Sequence, residues 1–71
     1  MKSLEEMMVS LESSIEKKTE QRDGYLQLAK TAKDEGFHDT SAKLLEIAND
    51  EDKQIGVLEE ISKDLRNSMQ V

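Results

Sequence analysis

"KDEGFHD", residues 33–39, is the stretch on which the fold turns. Gly36 stands where a left-handed residue closes a helix, and Phe37 beside it is placed to fold back on Ala32 as the accompanying hydrophobic contact. His38, Asp39, Thr40 and Ser41 then offer caps and a first-turn carboxylate for a second helix, without singling out the N-cap.

Outward from this stop, both flanks carry a helical stripe. Before it, Leu4, Met8, Leu11, Ile15 and Lys18 are spaced by four and three, and Arg22, Tyr25, Ala29 and Ala32 continue the series. Gly24 interrupts this helix at a cost of about 1 kcal/mol relative to Ala, which leaves a two-piece first helix, kinked there, as the alternative to a continuous one. After the stop, Leu44, Ala48, Glu51, Ile55 and Leu58 keep the same rhythm through Ser62, Leu65 and Met69, with Ile47, Gln54 and Ile61 widening the stripe. The spacing predicts a helix over about residues 3–35, a turn over about 36–39 and a helix over about 40–69. So short a connection makes the two helices antiparallel neighbours, each on the order of 45 Å long. The fold class is therefore all-α, an antiparallel helical hairpin in one domain spanning residues 1–71.

A lone hairpin leaves half of each stripe in water, and 71 residues bury little surface without a staple or a partner. There is no Cys, which excludes disulfides, thiolate metal sites and cysteine nucleophiles, and which fits a reducing cytoplasm. The expected remedy is a homodimer, two hairpins face to face as a four-helix bundle. Met7 and Met8 then lie level with Leu65 and Met69 at the open end and fill its core.

The formal charge of −6 argues against nucleic acid and against an anionic membrane surface as partners, and reads as a device for solubility. Tyr25 and Phe37 are the only aromatic residues, too few for a base-stacking platform. The opening "MKSLEEMMVSLESS" lacks a signal-peptide pattern, and nothing approaches the ~20 apolar residues of a membrane helix.

Both stripes turn polar at one height. Folding about Gly36 and Phe37 brings Arg22 level with Glu51, with Lys18 one turn further along and Gln54 three residues past Glu51. Around this centre the chain resembles the helix-loop-helix half of rubrerythrin, in the ferritin-like superfamily. Tyr25, Leu28, Ala29, Ala32, Glu35-Gly36-Phe37, Ser41, Leu44, Ala48 and Glu51 carry the likeness without a gap. The resemblance implies a four-helix bundle whose centre holds two irons, ligated by a Glu two turns before the Tyr and by Glu-x-x-His. This chain departs from that pattern at both points. Lys17 and Lys18 stand where the first Glu belongs, and Glu51-Asp52-Lys53-Gln54 has Gln in place of His.

A cation at Lys18 or Arg22 is thus expected to replace the metal as counter-charge to Glu51, with Gln54 completing the hydrogen bonds. An unpartnered carboxylate in the seam is costly, and a bonded pair is tolerable. The plainer alternative rotates both helices until these groups face water. A metal site shared by Glu51 and Glu20 of two subunits, holding iron, is the third. Tyr25 is expected in the core, its hydroxyl on a polar group of the centre.

Other signals fall away. "NDEDKQIG" resembles a calcium loop, but from Asp50 the sixth and twelfth positions are Ile55 and Ile61 instead of Gly and Glu. His38 is the single histidine and reads as a turn residue, and the serines lack a His–Asp set for triad chemistry. The expected function is non-catalytic: a hairpin acting as a structural or protein-interaction module through homodimerisation. The competing readings are a rubrerythrin-like iron protein and a coiled-coil adapter for another chain.

Overall fold

The computed structural model describes residues 3–69 and contains two helices, α1 over Leu4–Asp34 and α2 over His38–Met69. They pack side by side in an antiparallel hairpin with principal extents of 54 × 17 × 15 Å. Among the described residues no helix is long and apolar enough to cross a membrane.

Local chemistry accounts for each end. Ser3 caps α1, its side chain accepting from the Glu6 amide at 3.1 Å, and Glu5 and Glu6 place negative charge beside the positive end of the helix dipole. Ser3 and Glu6 have the spacing of a capping box, a start signal that lies outside the apolar stripe. α1 then runs unbroken through Gly24 as one helix, and the two-piece alternative is not realised. Packing along the stripe and the continuous backbone ladder outweigh one glycine's propensity.

α1 ends as the opening stretch predicts. Gly36 has φ 87°, its amide donates to the Lys33 carbonyl at 3.0 Å, and the Phe37 amide donates to Ala32 at 2.8 Å. These are the paired bonds of a Schellman stop. The Phe37 side chain, however, is 62 % exposed and does not fold back into the seam. Its carbonyl instead accepts from the Ser41 amide at 2.9 Å, so α2 starts at His38, two residues before its expected start. None of His38, Asp39, Thr40 or Ser41 therefore acts as the N-cap. The six-to-one bond already aims the chain along α2, and no extra turn residues are required. Asp39 does supply the first-turn carboxylate.

Ser41 has another task. It is buried, and its hydroxyl donates across the seam to the Ala29 carbonyl at 2.8 Å. With Ala29 and Ala48 also buried, the loop end of the hairpin is a seam of small side chains through which the helices approach closely. Toward the open end Met8, Ile55 and Ser62 are buried, and Leu11, Ile15, Leu58 and Leu65 are half-buried between the helices. Thus the residues hidden from water are those of the two stripes together with Thr19 and Ser41, while Met69 of the second stripe is exposed. Met8 fills the open end as expected, but Met7 stays exposed. The residues expected to widen the second stripe, Ile47, Gln54 and Ile61, face solvent.

Candidate functional site

Halfway along the seam, Lys18 and Arg22 of α1 face Glu51, Asp52 and Gln54 of α2. Lys18 Nζ lies 3.5 Å from Glu51 Oε2 and donates to Gln54 Oε1 at 2.5 Å. The Glu51 side chain is 17 % exposed and that of Lys18 is 30 % exposed. Neither points freely into water.

Arg22 takes a different partner from the one its height suggests. Its NH1 donates to Asp52 Oδ1 at 2.5 Å, and its Nε and NH2 share Asp23 Oδ1 at 3.2 Å. The physical reason is angular. Lys18 and Arg22 are four residues apart and so differ by about 40° around α1, which leans them toward opposite flanks of the seam. Gln54 lies on the Lys18 flank and Asp52 on the other, so each cation finds the acceptor on its own side. The bond to Asp52, then that to Asp23, pushes the Arg22 pKa above its already high ordinary value, leaving a fixed cation.

Of the five residues expected at the centre, the structure joins Lys18, Glu51 and Gln54 directly. Arg22 stands beside them in a separate pair, and Tyr25 is half-buried with its hydroxyl outside these bonds. Asp52 and Asp23 were missing from the expected set. Asp52 was legible, since it follows Glu51 at nearly the same height and lies about 100° around α2, on the flank toward which Arg22 leans. Glu20, the other carboxylate of the shared-metal alternative, is exposed, and two residues past Lys18 it falls about 200° around α1, on the outer surface. Within one chain it does not converge with Glu51. Among the described residues no group of three or more His, Cys, Asp or Glu side chains is placed to hold a metal ion.

Chemically, the centre is an ion pair closed by an amide. An ammonium has three protons to donate; here it faces Glu51 and Gln54, and it borders a shallow open groove lined also by Lys53, Val57 and Leu58. No family model, curated protein or solved structure matches the chain.

Proposed function

We propose that this chain is a non-catalytic helical-hairpin module that works by pairing with a second copy into a four-helix bundle, serving as a structural or protein-interaction element. The observation that carries the reading is the thinness of the core. Among the described residues no large side chain is fully buried, while ten large hydrophobic residues, Leu28, Val57 and Ile61 among them, remain exposed. Single exposed apolar residues are ordinary, but a hairpin with so little interior gains most of its stability from a partner.

The Lys18–Glu51–Gln54 centre supports the non-catalytic half of the proposal. A half-buried carboxylate already paired with a cation serves to fix the register of two helices, a structural task. The ferritin-like resemblance adds the expectation of a bundle and, with Lys18 and Gln54 in ligand positions, removes the expectation of iron chemistry.

Sedimentation equilibrium tests the proposal. The expected mass is twice the 8.1 kDa of the chain, falling toward the single-chain value only on dilution. A single-chain mass at every concentration overturns it and leaves the exposed apolar residues for a different protein.

A further inference from the structure

The two flanks of the hairpin differ in charge. One flank of α1 is the row Met7, Ser14, Gln21 and Leu28, and the matching row of α2 is Thr40, Ile47, Gln54, Ile61 and Ser68. Every one of these residues is exposed and none is ionisable, in a chain of which 37 % is charged. The contacts put both rows on one side. Lys18 reaches Gln54, and the groove there continues over Val57 and Leu58. On the other side the Arg22–Asp52 pair borders a groove that holds Leu26 and Leu45. Leu26 and Leu28 bracket the seam of α1, so the row of Leu28 belongs with Gln54. The Leu26 flank also carries Glu12, Lys33, Glu59 and Arg66.

From this asymmetry we infer that the uncharged flank, from Met7 to Leu28 in α1 and from Thr40 to Ser68 in α2, is the surface on which a second copy of the chain docks. The inference rests on the self-associating reading and specifies its geometry.

Two observations select a second copy as the occupant. The first is charge. Pairing through the other flank would take Glu12, Lys33, Asp52, Glu59 and Arg66 out of water, whereas both rows of this flank are uncharged and the cations bordering its groove are Lys18, already paired with Glu51, and Lys53. The second is area. The hairpin exposes 5569 Å², against roughly 4,500 Å² for a compact protein of its mass. A compact body of twice the mass exposes roughly 7,500 Å², so pairing that restored ordinary compactness would hide roughly 3,700 Å² in total. That falls within the range of permanent homodimers, about 2,000–5,000 Å². In a bundle, each helix uses its seam stripe plus one flanking row, and only on this side is that row uncharged on both helices. Gln21 and Gln54 then meet their copies at mid-height, extending the polar layer of Lys18 and Glu51 across the bundle.

Two paired substitutions, matched in exposure, test the assignment. Leu28→Lys with Ile61→Lys places cations on the uncharged flank, and Leu26→Lys with Leu45→Lys does so on the other. The first pair is expected to weaken self-association roughly 100-fold, read by sedimentation, and the second to leave it within a few-fold. Equal weakening by both pairs, or dissociation by the second alone, overturns the assignment while leaving the self-associating reading intact. A wild-type chain that never pairs defeats both. Hydroxyl-radical footprinting of the unmutated protein gives the same answer without a folding risk. Met7 and Leu28 are expected to lose reactivity as concentration rises, while Leu26 and Leu45 stay reactive. The reverse pattern overturns the inference.

Discussion

Lys18 crosses the seam to Glu51, Nζ to Oε2 at 3.5 Å, while Arg22 one turn away turns aside to Asp52. Two cations of similar reach thus have different work. One is held between the helices against a carboxylate that is mostly hidden. The other is as covered as the first but pairs with Asp52 and Asp23, exposed carboxylates for which water and salt compete.

The seam pair is expected to specify alignment more than to add stability. Lys18→Leu alone leaves Glu51 half-buried without its counter-charge and is expected to cost about 1–3 kcal/mol. Lys18→Leu with Glu51→Leu removes both charges and fills the seam, and is expected to be as stable as the parent or more so. Urea denaturation at one fixed chain concentration measures both variants, since any association makes the midpoint depend on concentration. A double variant as unstable as the single one would show that the pair itself contributes the stability.

Much of this arrangement was legible in the spacing of apolar residues. Steps of four and three from Leu4 to Ala32 and from Leu44 to Leu65 picked out the residues that the fold hides, and the Gly36-Phe37 stop set which of them face one another. A stripe gives height along a helix, and it does not resolve the 40° that sends Lys18 to Glu51 and Arg22 to Asp52. That detail depends on side-chain reach and on which acceptor shares a flank. The start of α2 was misjudged for a related reason. Polar residues after a glycine look like caps, but the Phe37 amide bond to Ala32 had already turned the chain, which freed Ser41 to bond Ala29.

The two ends of the glycine scale give opposite predictions. A methyl group added at Gly24 meets nothing within 4 Å, and the helix is continuous there, so Gly24→Ala is expected to stabilise by about 0.5–1 kcal/mol. Gly36 has equal room but a φ of 87°, and Gly36→Ala is expected to destabilise by about 1 kcal/mol or more. Thermal melts followed by helical circular dichroism read both shifts. A stabilising Gly36→Ala would mean that the left-handed stop is not what closes α1.

At the loop end, the hydroxyl of Ser41 is buried against the Ala29 carbonyl. Ser41→Ala removes one hydrogen bond and keeps the small volume, with an expected loss of about 1 kcal/mol. Ser41→Leu forces a larger side chain between helices that approach over Ala29 and Ala48, with an expected loss of about 1–3 kcal/mol. Denaturant midpoints rank the two. If leucine proves the milder change, the loop end is looser than the buried alanines imply.

The position of Lys18 also makes a prediction about metal. Its ammonium reaches both Glu51 and Gln54, so a carboxylate at position 18 and an imidazole at position 54 would converge with Glu51. Lys18→Glu with Gln54→His therefore writes a three-ligand set of two carboxylates and one imidazole, with open positions of the kind that suit Fe(II) or Co(II). The double variant is expected to gain absorbance bands on Co(II) addition and to be stabilised by about 2.7 kcal/mol at a free metal concentration 100 times its Kd. The parent, whose Glu51 faces an ammonium, is expected to show neither change. Metal binding by the parent that Glu51→Ala abolishes would revive the iron reading. A silent double variant would mean that residues 18, 51 and 54 meet only because the flexible lysine spans the gap, and that the seam is too wide for shorter side chains to share one ion.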